Sequence, residues 1–400
     1  MLWVKRSNFD TAHEIYLGLY QGLSTDTESE SNLFRKFSPN FFDLIIVDEC
    51  HRGSAKADSA WREILEYFKS AYQLGMTATP KENKYVSNIA YFGEPVYVYS
   101  LKDGIDDGFL APFRVINVRL NISDGWRPYA GQVDYFGNPI PDRVYNNCDY
   151  DDSIVIKDRT REVAERITAW LKENGRMNKT IVFCPTVEAA ERMRIELVQA
   201  NSDMVAQNPD YVVRITGDDT YGKSKLEYFI SITSEYPVIA TTSELLSTGV
   251  DTKMVKLIVL DKMIEKSMTE FKQIIGRGTR LVEDLGKTHF TVMDFRGVTR
   301  HFADPDWDGP IEQDDDWKPK DINERHKKKK KPEEEKGHEY KPYVTQDGCM
   351  VRVSEESVSV YNSEGKLLKT ENIIDYTFLE PDRRFNDSDF IFPSFAEPEE

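Results

Sequence analysis

Residues 42 to 51 read Phe42-Asp43-Leu44-Ile45-Ile46-Val47-Asp48-Glu49-Cys50-His51. Four consecutive apolar residues between polar ones are the pattern of a strand covered on both faces, as at the centre of a parallel sheet. The strand then delivers two adjacent carboxylates at its carboxyl end, where open α/β sheets bind ligands. Burying Asp48 and Glu49 there is costly unless something compensates, and a bound metal ion is the usual compensation. One carboxylate can hold Mg²⁺ on a nucleoside triphosphate while its neighbour orients the attacking water.

The flanking chain fits such a sheet. Residues 13–23 are apolar and aromatic and are expected to hold a core strand. Residues 59–69 place Trp61, Ile64, Leu65 and Phe68 on one helical face. Residues 71–76 form a short strand ending in Thr77-Ala78-Thr79-Pro80. Residues 94–102 and 113–121 alternate like strands. The stretch 123–152 is rich in Gly, Pro, Asn and Tyr and reads as an insertion or linker. A second strand–helix alternation follows, with helices over 161–171 and 187–200 and strands over 180–184, 212–216, 238–242, 256–260 and 290–294. From 304 the character changes to like-charge blocks, Asp314-Asp315-Asp316, Lys327 to Lys331 and Glu333-Glu334-Glu335, which suit a solvated linker. Beyond it, strand-like alternation resumes around Asn362 to Gly365.

Four hundred residues suffice for two or three domains. No apolar run approaches the ~20 residues that span a bilayer, and the N-terminus lacks a signal-peptide core. Cys50, Cys148, Cys184 and Cys349 show no metal-ligand spacing, so a reducing, cytoplasmic setting is expected. Cys50 and His51 are adjacent strand residues pointing to opposite faces, which excludes a catalytic dyad. The net charge of −17 lends no bulk support to nucleic-acid binding, so that function must rest on motifs.

Several motifs recur in order. Thr77-Ala78-Thr79 follows the acidic pair by one strand, and its hydroxyls can hydrogen-bond the carboxylates. Thr242-Ser243 and the run Ser247-Thr248-Gly249-Val250-Asp251 offer hydroxyls and a glycine amide suited to a phosphodiester backbone, with Asp251 in reach of a ribose or the paired domain. Gln273-Ile274-Ile275-Gly276-Arg277-Gly278-Thr279-Arg280 sets Arg277 and Arg280 three apart, on one face if helical. Two arginines aimed at a γ-phosphate are arginine fingers.

This ordered set resembles motifs II to VI of superfamily 2 helicases, the DEAD/DEAH-box group, across residues 41–294. The wording around Asp48 to Ala55, Gly75 to Glu82, Tyr91 to Tyr97 and Met268 to Arg280 is similar to the motor (R) subunit of type I restriction–modification enzymes. The resemblance implies two RecA-like α/β domains, at residues 1–112 and 159–303, separated by an insertion at 113–158. A charged linker at 304–342 and a β-rich element at 343–400 follow. It implies ATP-driven translocation on double-stranded DNA, with specificity and methyltransferase subunits as partners. On that pattern Asp48 binds Mg²⁺ and Glu49 activates water. Arg277 and Arg280 act on ATP from the second domain. Thr77, Thr79, Gly249, Asp251 and Gln273 belong to the nucleotide site or the domain interface, and Thr242 and Ser243 to the DNA contact.

Two features of that family are missing from its pattern here. The N-terminal nuclease domain has no counterpart, and residues 1–40 contain no G-x-x-x-x-G-K-[ST] loop, so the chain is expected to begin inside the first motor domain. Gly217-Asp218-Asp219-Thr220-Tyr221-Gly222-Lys223-Ser224 satisfies that pattern between a strand and a helix. It follows the acidic pair, however, and places two negative charges where a phosphate must sit. A general DNA or RNA helicase of the same superfamily is the first alternative. A non-catalytic remnant that binds DNA or partner subunits is the second.

Overall fold

The computed structural model describes residues 2–4, 10–23, 32–50, 62–77, 82–83, 86–87, 89–247, 249–264, 267–303, 307, 342–346, 349–361 and 367–372. The chain divides into two compact units, Met1–Val98 and Tyr99–Glu400.

In the first unit, β1 (Leu2–Trp3) pairs in parallel with β2 (Tyr16–Leu17), followed by the single-turn helix α1 (Tyr20–Leu23). The strand β3 (Leu44–Val47) leads through helix α2 (residues 62–67) to its parallel partner β4 (Tyr72–Gly75). A small hairpin, β5 (Glu82–Asn83) and β6 (Val86–Ser87), precedes α3 (Ile89–Phe92). The core is largely aromatic: Phe34, Phe37 and Phe68 are buried with Ile64, and Phe41, Phe42, Tyr16 and Tyr67 pack on them. The Phe42 and Phe68 rings meet edge to face at 5.0 Å, a geometry that adds to area burial.

Two expectations are corrected here. The strand β3 is not covered on both faces: Leu44 and Ile46 are 54% and 53% exposed, on the same side as Tyr72 at 83%. Burial on both faces needs a packed layer on each, and among the described residues β3 has its aromatic layer on the Ile45 side only. Residues 13–23 form a strand for two residues rather than a core strand. Tyr16 turns inward, against Phe37, Phe41 and Phe42, and Leu23 packs on the same core, while Ile15, Leu17 and Leu19 face outward.

Residues 94–102 also depart from the strand pattern. Val96, Tyr97 and Val98 carry no regular structure and are exposed. Ser100 then starts helix α4 (Leu101–Asp106) through a capping box. Its Oγ accepts the Asp103 N–H at 3.0 Å and the Asp103 carboxylate accepts the Ser100 N–H at 2.9 Å. That reciprocal pair satisfies two otherwise orphaned helix donors and overrides the alternation.

The second unit is built on one sheet. After α4 come β7 (Phe113–Leu120), β8 (Ile154–Val155), α5 (Lys157–Asn174), β9 (Lys179–Phe183), α6 (Val187–Ala200) and α7 (Ser202–Val205). Then follow β10 (Val212–Arg214), α8 (Thr220–Ile230), β11 (Ile239–Thr242), β12 (Val255–Leu260), α9 (Met268–Ile275) and β13 (Phe290–Asp294). Last are β14 (Tyr343–Val344), β15 (Val353–Tyr361) and β16 (Leu367–Asn372). The sheet order is β10-β11-β9-β12-β13-β7-β15-β16. The first six strands are mutually parallel, and β15 and β16 add as antiparallel strands.

Alternate residues feed two cores. Val182, Leu257, Val259 and Met293 face α5 and α6, while Ile181, Phe183, Ile258 and Leu260 face the side of α8 and α9. Such double burial is why these strands read as unbroken apolar runs. Val163, Ile167, Trp170 and Leu171 of α5 are all buried, as their spacing predicts. The α/β class and parallel order expected of a RecA-like domain are therefore present in this unit.

The chain around residue 113 differs from an intervening linker. Phe113–Leu120 is the sixth parallel strand, paired with β13 from Phe290↔Phe113 to Asp294↔Asn117. The segment 121–156 packs on the sheet through Ile122, Ile140, Tyr145 and Tyr150. The C-terminal strand β15 pairs with β7 and is held by one face of α5. Asp158 accepts the Cys349 N–H, Glu162 accepts the Val353 N–H, and Arg166 forms a two-pronged pair with Glu356. These three α5 residues lie four apart, on one stripe of the helix. The like-charge blocks between 314 and 335 lie outside the described residues.

Past the carboxyl ends of β12 and β13, a group of ions, all buried except the half-buried Arg192, joins five segments. Asp261 accepts from Arg159 at 2.5 Å and from Arg296 at 2.8 Å. Asp151 accepts from Arg296 at 2.7 Å and from Arg192 at 2.8 Å. Burial alone would raise the Asp151 carboxyl, but Arg296, Arg159 and Arg192 outweigh it and hold it below the usual range. Breaking one member strands its partners in a dry environment. Arg296→Met is expected to lower unfolding free energy by about 3–5 kcal/mol in urea denaturation. A loss under ~1 kcal/mol would show that the remaining arginines suffice.

Candidate functional site

The acidic pair sits in a tight turn. Met76 N–H donates to the Val47 carbonyl at 2.9 Å and Cys50 N–H donates to the Met76 carbonyl at 3.0 Å. These bonds clamp the turn to the strand that ends beside Thr77. Glu49 adopts φ +50, a left-handed conformation that non-glycine residues seldom take and that clusters at functional sites. Its N–H donates to Asp48 Oδ1 at 2.9 Å. Asp48 is exposed and Glu49 half-buried, so the expected cost of burying both is not incurred. A single exposed carboxylate fits a Mg²⁺ ion, which characteristically takes one or two protein carboxylates plus phosphate oxygens. Thr77 is half-buried beside the turn, whereas Thr79 lies outside the described residues. Burial pushes the Cys50 thiol up, away from the thiolate form.

The second unit gathers another group at the amino ends of its strands. The helix α9 stops at Ile275, so Arg277 and Arg280 do not share a helical face, which corrects the expectation above. Gly276 caps the helix, and an added Cβ at Gly278 would stand 2.2 Å from the Phe290 ring. The chain must therefore run flat over Phe290 and extends into a bridge between Arg280 and Leu110. Arg277 is turned inward. Its guanidinium donates to the carbonyls of Gln273 and Val250, and the Arg277 carbonyl accepts from Thr252 Oγ1 at 2.7 Å. Gln273, half-buried on α9, contributes that backbone carbonyl.

Arg280 is exposed, and its Nε–H donates to Asp251 Oδ1 at 2.9 Å. An exposed pair of this kind adds little stability, but it fixes a direction. Gly249, at φ +74, supplies the left-handed step that brings the chain round to Asp251.

Thr242 and Ser243 lie at the other end of the sheet, where β11 finishes. Thr242 is fully buried, and its hydroxyl has no hydrogen-bond partner among the described residues. Ser243 is half-buried, and its carbonyl accepts from Lys262 at 3.4 Å. Strands of four or five residues separate the two groups by about 15 Å.

The stretch Gly217 to Ser224 is not arranged as a phosphate loop. The Asp219 carboxylate caps α8, accepting the Tyr221 N–H at 2.9 Å. Asp218 accepts from Thr216 Oγ1 at 2.6 Å. A carboxylate thus already occupies the helix N-terminus where an anion would bind. An added Cβ at Gly222 would come 2.0 Å from the Arg214 carbonyl, so that glycine serves close packing of α8 on β10.

Lys287 escaped sequence reasoning. It is 0% exposed, and its ammonium donates to the Lys253 carbonyl at 2.8 Å. Burial, together with Arg280 and Lys256, brings it down to about 7 from an ordinary 10.5, with Asp251 acting the other way. A lysine after glycine in a polar turn carries no periodic signal; only its fold neighbours mark it.

Residues 3–82 match the family described as "Type III restriction enzyme, res subunit", and residues 161–282 match "Helicase conserved C-terminal domain". The type I restriction enzyme EcoAI endonuclease subunit of Escherichia coli is 48% identical over 94% of this chain and 50% of its own length. By sequence, the chain belongs with the endonuclease subunits of type I restriction enzymes. The EcoKI endonuclease subunit of Escherichia coli (strain K12) is 30% identical over 63% of this chain and 24% of its own. The chain therefore spans half or less of the length of these curated relatives. A fragment structure of an HsdR subunit of a type I restriction enzyme from Vibrio vulnificus YJ016 aligns with TM-score 0.60 at 35% identity, covering 92% of this chain and 56% of that one. Among the described residues, no helix is long and apolar enough to cross a membrane.

Two outcomes follow from this geometry. Lys223→Ala should leave nucleotide affinity, measured by equilibrium binding, at the unsubstituted value; a tenfold loss, about 1.4 kcal/mol, would restore the phosphate-loop reading. The unfolded chain keeps the Lys287 proton up to pH 10.5, whereas the folded chain keeps it only below about 7. Between those values unfolding takes up a proton, so stability rises with pH, at most about 1.4 kcal/mol per unit. Relative to Lys287→Met, the unsubstituted protein should gain stability from pH 7 to 9 in denaturant titrations; parallel curves would contradict the lowered value.

Proposed function

We propose that this chain carries the motor core of a type I restriction endonuclease subunit, coupling ATP hydrolysis to tracking on double-stranded DNA. The observation that carries the reading is the clamped Asp48–Glu49 turn beside Thr77, in a chain whose family resemblance extends along nearly its whole length.

Asp48 is the carboxylate suited to Mg²⁺, which when bound would supply divalent charge at the phosphates of ATP. Glu49, held in its left-handed turn, takes a proton from the attacking water. Arg280 is the more available of the two arginines for a γ-phosphate, because Arg277 is spent on the Val250 and Gln273 carbonyls. In this reading Arg277 and Gln273 shape the loop that presents Asp251 and Arg280, and Gly249 lets the chain make that turn. Thr77 and Thr79 relay the state of the carboxylates.

The far end of the sheet, at Thr242 and Ser243, is assigned to DNA. Because the Thr242 side chain is buried, its part there is to shape the loop, and contact falls to Ser243 and the backbone that follows. Specificity and methyltransferase subunits are the partners this reading calls for.

The test is ATP turnover by the chain with and without double-stranded DNA. Glu49→Gln should cut turnover by about 10²–10⁴ while sparing ATP binding. Arg280→Ala should cut it by about 10³–10⁵. Turnover that survives both substitutions would sink the assignment. A folded chain with no turnover that still binds DNA would favour the non-catalytic reading. Displacement of a strand from a short duplex would favour a general helicase.

A further inference from the structure

We propose that Lys287 is a positioning residue for Arg280, acting through the Asp251–Lys253 turn. The proposal rests on the reading of Arg280 as a phosphate ligand for its catalytic consequence, but its structural part stands alone. Lys287 is shut from water, and among the described residues its ammonium has one hydrogen bond, to the Lys253 carbonyl at 2.8 Å. Its backbone is fixed independently: Lys287 N–H donates to the Val282 carbonyl at 3.0 Å, and Val282 N–H returns to the Lys287 carbonyl at 3.1 Å. The side chain therefore reaches from a rigid hairpin to the turn that carries Asp251.

Asp251 in turn holds Arg280 Nε at 2.9 Å. The backbone of Arg280 is anchored separately, by its bridge to Leu110 and by the Thr279 carbonyl, which accepts the Ala111 N–H at 2.7 Å. Backbone and side chain of Arg280 are thus set by two different supports, and Lys287 governs the second. A methionine would fill the same space without desolvating a charge, and a buried ammonium is costly to keep. What the Lys287 Nζ adds, protonated or neutral, is an N–H donated to the Lys253 carbonyl, which aligns the turn.

The charges that face Lys287 agree with this role. Arg280 and Lys256 repel it, and Asp251 attracts it. The same carboxylate thus faces both the buried lysine and the exposed arginine.

The experiment uses the 400-residue chain labelled with ¹⁵N-arginine. The Arg280 Nε–H resonance is assigned by its loss in Arg280→Ala, and its exchange with water is measured. In Lys287→Met, and in Lys287→Gln should the first variant not fold, exchange should rise about two- to fivefold, the factor for losing an exposed ion pair. Turnover of ATP should fall in kcat with KM little changed, and Lys287→Arg should recover part of it. Unchanged Arg280 exchange in a folded variant overturns the proposal. Faster exchange, with Arg280→Ala turning over ATP like the unsubstituted chain, supports the positioning link and removes the phosphate role from Arg280.

Discussion

Four charged side chains kept out of water, Asp151, Arg159, Asp261 and Arg296, together with the half-buried Arg192, bind the second unit's parts to one another. None could be buried singly, since an isolated ion in the interior costs several kcal/mol after relaxation. Each is admissible only because the others are already in place. The group ties the irregular segment 121–156, the start of α5, the helix α6 and the ends of β12 and β13 into one arrangement. Arg296 extends it by donating to the Asn147 and Tyr150 carbonyls. A segment with little regular structure is thereby tied to the sheet at Asn147, Tyr150 and Asp151.

The sheet separates two kinds of surface. Its amino ends carry Gly249, Asp251, Arg277, Arg280 and Lys287, a cationic group with one carboxylate to direct it. Its carboxyl ends carry Thr242, Ser243 and the buried ions. The parallel strands between them hold these surfaces apart. A shift at one end can therefore reach the other only as a movement of the whole body, because packed strands transmit rather than absorb displacement.

Much of this was legible in the residues. Strands β9, β11, β12 and β13 announce themselves because covering both faces leaves no room for polar residues, and α6 because Ala190, Met193 and Leu197 repeat at helical spacing. The same apolar signal misled at β3, where Leu44 and Ile46 face outward, since a run of apolar residues fixes a strand without fixing how many layers cover it. Arg277 and Arg280 were found by type and spacing, but their geometry was not: Gly278 must pass over Phe290, a residue twelve positions later. The Ser100–Asp103 box was readable and outweighed the alternation around it. The buried ions were not readable, because their five members come from five separated stretches that only the fold brings together. Lys287 was hidden for the same reason.

The chain leaves the sheet after β13 and comes back to it: Tyr343–Val344 pairs with Ile154–Val155, and β15 then lies along β7. The described residues on both sides of the charged stretch are therefore anchored on the same unit. Lengthening that stretch would move neither anchor off the unit, and closure between two fixed ends resists added residues only weakly, since each doubling of length costs about 0.6 kcal/mol. Cutting it need not separate the pieces, because β15 is held by its ladder to β7 and by Asp158, Glu162 and Arg166 on α5. In physical terms the last strands are a bound ligand of the domain that happens to be covalently attached.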